Sequence, residues 1–101
     1  MVVLVTAPSP EKAAEMARAL VEERLAACGN VVPGLRSLYR WEGKVQDDAE
    51  ALLVLKTTRG RFQALRARVL ALHPYEVPEV LALRVEAGHA AYLDWIAGST
   101  R

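Results

Sequence analysis

The sequence predicts an α+β protein of the ferredoxin-like class, with a four-stranded antiparallel sheet, two helices on one face and an additional C-terminal helix. The first observation is the order of the patterns along the chain, which alternate as β-α-β-β-α-β. The second is strict period-two alternation on both sides of Glu42-Gly43, which predicts a long β-hairpin. The third is size and composition: 101 residues, 52% of them hydrophobic, indicate a single domain over residues 1–101.

The first strand and helix are predicted from the N-terminal third of the chain. The β-branched run from Val2 to Thr6 is typical of a central strand that is buried on both faces. Ser9 is suited to cap a helix, and Pro10 fits its first position. Helical spacing of apolar residues then continues to about Leu25, and the helix is expected to stop near Ala27.

The hairpin is predicted to run from Cys28 to Thr57, with alternating faces in both arms. Each arm of roughly 14 residues would measure about 46 Å at ~3.3 Å per residue, whereas a domain of this size has a radius of gyration of only ~13 Å. The hairpin should therefore extend beyond its own core and carry Tyr39 and Trp41 with it. Exposed aromatic strands of this kind predict cover by another copy of the chain. The alternative is a pair of shorter strands, bent at Pro33-Gly34, with a mobile tip.

The remaining elements follow the hairpin. Thr57 or Thr58 is expected to cap a second helix, which ends before His73-Pro74 because the residue preceding proline disfavours helical geometry. A loop to Glu79 and a fourth strand over Val80–Val85 come next. A short last helix is marked by Tyr92, Leu93, Trp95 and Ile96.

Composition and missing motifs exclude several classes of function. A net charge of +1 argues against a nucleic-acid partner, and a single cysteine allows no intramolecular disulfide and no cysteine-rich zinc site. The opening stretch has no basic region and is too short to span a bilayer, so we interpret it as a strand of a cytoplasmic protein with no membrane partner. No phosphate-binding loop, nucleophile elbow or zinc-protease motif is present, and we predict that the chain is not an enzyme.

The loop from His73 to Glu79 is the densest group of reactive side chains. His73 with Glu76 or Glu79 could bind copper or zinc, or the loop could be a turn in which His73 bonds to a backbone carbonyl. Cys28 is open to two interpretations, a soft metal ligand or a small buried hydrophobe. Lys56 is either an anion contact or an edge lysine whose stem covers apolar surface.

The acidic run in the second arm of the hairpin also has two interpretations. Asp47, Asp48 and Glu50 could coordinate a hard cation or pair with Arg36 and Arg40 across the strands. Because Asp47 points away from the other two carboxylates, cross-strand ion pairing is the favoured interpretation. His89, at the start of the last helix, is expected on the surface.

Several motifs together resemble one known family, the CutA divalent-cation-tolerance proteins. The motifs span nearly the whole chain: T-A-P after the first strand, ERLAAC ending at Cys28, Asn30, Pro33-Gly34, SLYRWEGKV, LKTT, HPYEVPE and Tyr92-Leu93-x-Trp95. The resemblance implies a homotrimer similar in build to PII signalling proteins, in which the long hairpins pair with neighbouring subunits. It places certain residues around clefts between subunits: Cys28, Tyr39, Trp41, Lys56, His73, Tyr75 and Glu79. It also places Tyr39, Trp41 and Glu42 in the oligomer interface.

The resemblance further implies a role in metal tolerance, and some members of the family bind copper. Where some members carry a cysteine and a second histidine, this chain has Val5 and Leu72, neither of which can bind a metal. We therefore predict a homotrimeric tolerance or metal-response protein with weak metal binding through His73 and Glu79, requiring no cofactor. Its only metal candidates are copper or another divalent cation. The alternative is a PII-like module that senses a small molecule or docks a partner, with indirect metal effects.

Overall fold

Seven regular elements make up the fold, and the computed structural model describes all residues from 1 to 101. They are β1 (Val2–Ala7), α1 (Pro10–Glu22), β2 (Cys28–Trp41), β3 (Lys44–Lys56), α2 (Phe62–Leu72), β4 (Leu81–Leu83) and α3 (Ala90–Ser99). The strands form one antiparallel sheet in the order β2-β3-β1-β4. This is the split β-α-β arrangement predicted from the sequence, with α3 as the additional helix.

One face of the sheet carries the core. Val3, Val5 and Ala7 of β1 are fully buried against α1 and α2, together with alternate residues of β3. The residues between them in β1 are only partly covered in the single subunit. β1 is central, as predicted. The prediction that it is buried on both faces is wrong for one subunit, because α1 and α2 cover the first face and no element covers the second in the same way.

Helix α1 begins as predicted and ends earlier than predicted. The Lys12 N–H donates to Ser9 Oγ at 3.1 Å, so Ser9 is the N-cap. The helix ends at Glu22 because Arg24 adopts a left-handed conformation with φ of 60°. The Arg24 and Leu25 N–H groups then donate back to the carbonyls of Val21 and Leu20, which is a Schellman ending.

The hairpin is as long as predicted, with arms of 14 and 13 residues. Glu42 and Gly43 both have positive φ, 52° and 76°, as a two-residue type I′ turn requires. A β-bulge between Val32 and Leu35 shifts the register at Pro33-Gly34 without interrupting the ribbon. The molecule is consequently elongated, measuring 44 × 26 × 21 Å.

Two elements differ from the predictions in the second half of the chain. Neither candidate threonine caps α2. The Thr57 hydroxyl donates to the Leu25 carbonyl at 2.7 Å, and the Thr58 hydroxyl contacts the Thr100 hydroxyl. A 3₁₀ turn over Arg59–Arg61 leads into the helix instead. Strand β4 has three residues instead of six, because it pairs only with the start of β1. His89 lies exposed before α3, as expected. None of the helices is long and apolar enough to cross a membrane.

Candidate functional site

A pocket of about 760 Å³ lies between the outer half of the hairpin and the loop that follows α2. We call it the hairpin–loop pocket. Strands β2 and β3 contribute residues 36–39, Trp41 and Glu50, and the loop contributes residues 74–77 and Glu79, with Thr6 at the end of β1. Its walls therefore combine aromatic rings, carboxylates and aliphatic side chains.

Strand register places the aromatic and acidic side chains of the hairpin on one face. Ser37 is paired with Asp48, and Leu35 with Glu50, so Tyr39 lies on the same face as both carboxylates. The Tyr39 hydroxyl donates to Asp48 at 2.5 Å, and this bond raises the pKa of the Tyr39 phenol. The bond fixes the orientation of the Tyr39 ring at the pocket wall.

His73 anchors the loop to the end of β1. The Tyr75 N–H donates to His73 Nδ1 at 3.1 Å, so Nδ1 is the acceptor and Nε2 carries the proton. Nε2 donates that proton to the Thr6 carbonyl at 2.7 Å. The ring is only 8% exposed and lies 4.6 Å from the Tyr75 ring. The backbone-bonded turn that the sequence offered as an alternative is therefore the arrangement adopted.

The pocket is electrostatically negative on its loop side. The Tyr75 hydroxyl donates to Glu50 at 2.5 Å, and burial together with this bond raises the pKa of the phenol. Burial and the charge of Glu50 also raise the pKa of the Glu79 carboxyl. The only guanidinium in the lining, Arg36, is bound by both carboxylate oxygens of Asp47 at 2.9 and 2.7 Å. That ion pair lowers the pKa of Asp47 and leaves no free cation to offset the loop carboxylates.

A second group of polar side chains lies at the opposite end of the hairpin. Lys56 donates to the Asn30 side-chain oxygen, and Cys28 Sγ lies 4.0 Å from the same atom. The Tyr92 hydroxyl of α3 is 3.7 Å from Cys28 Sγ, and this contact raises the pKa of the Tyr92 phenol. Cys28 is half-buried rather than enclosed in the core, so the small-hydrophobe interpretation does not describe it fully.

The residues expected around clefts between subunits form two separate groups within one subunit. Cys28 and Lys56 lie at the open end of the hairpin, whereas Tyr39 and Trp41 lie near its turn. Eleven residues of extended strand separate Cys28 from Tyr39, a distance on the order of 35 Å. One subunit therefore does not assemble these residues into a single site, and a cleft between subunits stays a prediction.

Comparison with known proteins identifies the family. A profile described as "CutA1 divalent ion tolerance protein" matches residues 1–99.

The chain belongs to the CutA1 divalent ion tolerance family.

Relatives in this family extend across bacteria and plants. The chain is 58% identical over 99 residues to the divalent-cation tolerance protein CutA of Thermus thermophilus, covering 98% of this chain and 96% of the relative. It is 50% identical over 101 residues to the chloroplastic protein CutA 1 of Oryza sativa, covering 100% of this chain but only 57% of that longer protein. The same family resemblance was inferred from the sequence motifs, and it is confirmed.

Solved structures give the same result for the fold. The solved structure of the divalent cation tolerance protein from Thermus thermophilus superimposes with a TM-score of 0.96 at 57% identity, covering 99% of this chain and 97% of that one. A structure titled "PII-like protein CutA" from Nostoc in apo form superimposes with a TM-score of 0.92 at 37% identity, covering 99% and 96% of the two chains. The α+β fold with its PII-like build is thereby confirmed.

The donor set of one CutA-family subunit does not fit a stable metal site. No group of three or more His, Cys, Asp or Glu side chains is arranged to hold an ion. Both ring nitrogens of His73 are hydrogen-bonded, so metal binding there would have to break the bond to Tyr75 or to Thr6. Val5 is fully buried, and Leu72 packs against the core. The pair of His73 and Glu79 as metal ligands stays a prediction that needs donors from elsewhere.

The acidic run of β3 behaves only partly as predicted. Asp47 does point away from Asp48 and Glu50 and pairs with Arg36. Arg40 forms no ion pair, because Asp47, the carboxylate on its face of the hairpin, is bound by Arg36. The two remaining carboxylates bond to tyrosines, which the sequence analysis did not anticipate.

Glu50 and Thr6 make hydrogen bonds at the pocket, and the sequence analysis assigned neither of them to it. Glu50 was assigned only to the acidic run, and Thr6 only to β1. Counting register outward from the turn would have placed Glu50 on the face of Tyr39. No local signal reveals Thr6, since its contribution is a backbone carbonyl that meets a histidine 67 residues away.

Proposed function

We propose that this protein is a homotrimer that serves divalent-cation tolerance as a PII-like small-molecule-binding module, with the hairpin–loop pocket as its ligand site. The observation that carries the proposal is the pocket itself. Its volume lies in the ~300–1,000 Å³ range typical of small-molecule sites. Bonds from Tyr39 to Asp48 and from Tyr75 to Glu50 already hold its polar groups in place.

The uncovered face of the sheet supports assembly. Leu81 and Leu83 are paired with Leu4 and Val2, so they share the face opposite the helices, and both are about half exposed. Large apolar areas of this kind are typical of subunit interfaces. Strand β2 adds an unpaired edge of 14 residues, which another subunit would satisfy. Three copies is the number that the family resemblance implies.

The hairpin tip is proposed to lie in the interface. Tyr39 and Trp41 remain 43% and 40% exposed, and Leu38 and Val45 are even more exposed on the opposite face of the ribbon. A tip that is apolar on both faces is suited to insertion between neighbours, with Glu42 at its turn. Assembly would also bring Cys28 and Lys56 of one subunit towards the Tyr39, Trp41 and Tyr75 of another. This is the arrangement of inter-subunit clefts that we propose.

Direct binding of copper or another divalent cation is the competing proposal, with His73 and Glu79 as ligands. The carboxylate-rich wall beside His73 is the observation that favours it. In our primary proposal no cofactor is required, and effects of metals are indirect. We also propose a cytoplasmic location.

The two proposals are separated by calorimetric titration of the assembled protein with copper and zinc at pH 7.5. His73→Gln removes the imidazole, and His89→Ala, an exposed histidine outside the pocket, is the matched control. We expect the wild type to have no stoichiometric metal site that depends on His73. A site of that kind would be lost in His73→Gln and kept in His89→Ala. Finding such a site would establish direct metal binding and refute the primary proposal. Native mass spectrometry of the purified protein then identifies any ligand that co-purifies.

A further inference from the structure

We infer that the hairpin–loop pocket takes a small organic cation, a protonated amine on a short apolar chain, held by Glu50 and Glu79 and by the rings of Tyr39, Trp41 and Tyr75. The inference rests on the proposal that this pocket is a ligand site, and it names the chemical class of that ligand.

The charge balance of the pocket is the first argument. Glu50, Glu76 and Glu79 contribute three carboxylates to the lining, whereas Arg36 contributes the only cation. Arg36 is committed to Asp47 through two short bonds, so its charge is already neutralised. The chain as a whole carries +1. The pocket therefore differs in sign from the molecule, and it repels anions.

The hydrogen bonds of the pocket leave acceptors free for a ligand. The Tyr75 hydroxyl donates one hydrogen to Glu50. An ionised carboxylate has about four acceptor positions, so most of those on Glu50 and Glu79 remain open. An ammonium group supplies three donors and no acceptor, which complements walls rich in carboxylates. The tyrosine bond pre-orients Glu50 and so reduces the ordering cost of binding.

Aromatic rings supply the second half of the recognition. Tyr39, Trp41 and Tyr75 all line the pocket, and each ring keeps a substantial exposed part. Aromatic faces attract cations, and tryptophan does so most strongly. Pro74 and Val77 add apolar surface on the loop side for the carbon chain of the ligand. Carboxylates and aromatic faces together are the groups that usually bind a protonated organic amine in proteins.

A compact metal ion does not match this pocket. Its cavity volume of about 760 Å³ is far larger than an ion, and no three donors converge within it. His73, the nearest nitrogen donor, has both ring nitrogens occupied. A larger ligand with an ammonium group and an apolar body matches the carboxylates, the aromatic rings and the volume of this pocket.

The experiment compares three probes of one length and different charge: 1,4-diaminobutane, 1,4-butanediol and butanedioate. Binding to the assembled protein is measured by calorimetry and by Trp41 fluorescence. Trp95→Phe serves as the background, so that Trp41 is the only tryptophan that reports. Glu50→Gln and Glu79→Gln each remove one pocket charge, and Glu86→Gln, an exposed carboxylate outside the pocket, is the matched control.

We expect saturable binding of the diamine alone, weakened at least tenfold by either pocket substitution, unchanged by Glu86→Gln and weakened by added salt. Circular dichroism and light scattering confirm that each variant is folded and assembled, and Glu79→Gln carries the test if Glu50→Gln does not fold. Binding of butanedioate or the diol instead would overturn the cation inference and leave the pocket as a ligand site. Absence of binding by all three probes also overturns the inference, while the proposed function is judged separately by its metal titration and its co-purified ligand.

Discussion

At the scale of single residues, the structure shows where local conformation and charge carry a cost. Arg24 and Glu42 are the two non-glycine residues with positive φ, and each ends an element at a point that the fold requires. Glu79 carries a different cost, because it is half-buried near the like charge of Glu50. Such costs are tolerated where the surrounding structure determines the geometry.

Glu79→Gln should stabilise the protein at neutral pH. The pKa of the Glu79 carboxyl is raised in the folded state, so the protonated form of Glu79 favours folding and the ionised form does not. The stability that the protonated carboxyl contributes is fully present below the unfolded pKa, ~4.3, and is lost as the pH rises through the folded pKa. An uncharged side chain removes this loss. We expect a melting temperature a few degrees higher at pH 7.5 and no gain near pH 4. Equal gains at both pH values would show that charge is not the cause, and Glu86→Gln is the control.

Arg24→Gly should stabilise the end of α1. The left-handed conformation costs a non-glycine residue ~1–2 kcal/mol, and the greater unfolded freedom of glycine offsets ~0.5–1 kcal/mol of the gain. A net increase of about 0.5–1 kcal/mol in the free energy of unfolding is expected by denaturant titration at fixed protein concentration. Arg18→Gly, in the middle of the same helix, should instead destabilise by ~1 kcal/mol. If both changes are destabilising, the Schellman ending is not what limits the helix.

At the scale of elements, the hairpin and α1 determine the geometry of the site. The two-residue turn fixes the register from Trp41–Lys44 outward, and the bulge at Pro33-Gly34 shifts it by one residue. The bulge keeps Val32 and Leu35 on one face although they are three residues apart. Without it, the outer half of β2 would present the wrong side chains to the loop. Helix α1 holds the inner half of the hairpin through a close approach at Gly29.

Gly29→Ala should disturb the packing of α1 on the sheet. An added Cβ would lie 2.9 Å from Ala17 Cβ and 3.1 Å from a Leu55 methyl group. Overpacking of this kind costs ~1–3 kcal/mol, and thermal unfolding should show it. Gly60→Ala is the matched control, because nothing lies near its added Cβ, and it should cost little. A Gly29→Ala variant as stable as the wild type would mean that α1 moves away from the sheet without penalty.

At the scale of the whole molecule, the subunit is elongated and one face of its sheet is open. The ribbon extends an 11.1 kDa chain to 44 Å, and Leu81 and Leu83, on the face of the sheet opposite the helices, are about half exposed. A closed symmetric oligomer pairs the open edge of each sheet with a neighbouring subunit, and it does not grow into an unlimited filament. The hairpin–loop pocket lies on the outer half of this ribbon, so its final shape depends on the neighbouring subunits in the assembly that we propose.

The protein should be a homotrimer at micromolar concentration. Multi-angle light scattering should give about three times the chain mass of 11.1 kDa. A concentration-independent mass equal to one chain would refute the trimer and the inter-subunit clefts together.

Trp41→Ala should weaken assembly more than it weakens the subunit fold. Trp41 touches no part of the core cluster, so its truncation should leave the isolated subunit nearly intact. Interface tryptophans are frequent hot spots, and truncation of a buried aromatic costs ~3–5 kcal/mol. We expect dissociation at higher protein concentration by light scattering, with circular dichroism unchanged. Leu70→Ala, an exposed apolar residue of α2, is the control, and an equal effect of the two variants would remove Trp41 from the interface.

The sequence by itself determined the order of elements, the length of the hairpin and the family. These follow from local rules: period-two alternation, the Ser9-Pro10 cap and the proline after His73 act within a few residues. Motifs such as HPYEVPE also located the loop of the pocket. The end of α1 was placed too late because buried apolar residues continue past Glu22, and β4 was placed too long because an apolar run does not reveal how much partner strand exists.

Only the tertiary structure decided what the functional side chains do. The state of His73 depends on the carbonyl of Thr6, and the bond of Tyr75 depends on Glu50, so both involve contacts across 25 residues or more. The path of the loop after α2 decides that Glu50, rather than another carboxylate of the hairpin, meets Tyr75. No pattern in a linear sequence encodes these distances, because they arise only when the sheet register and the loop path are fixed together. The elements are thus local in origin, and the pocket is a property of the fold.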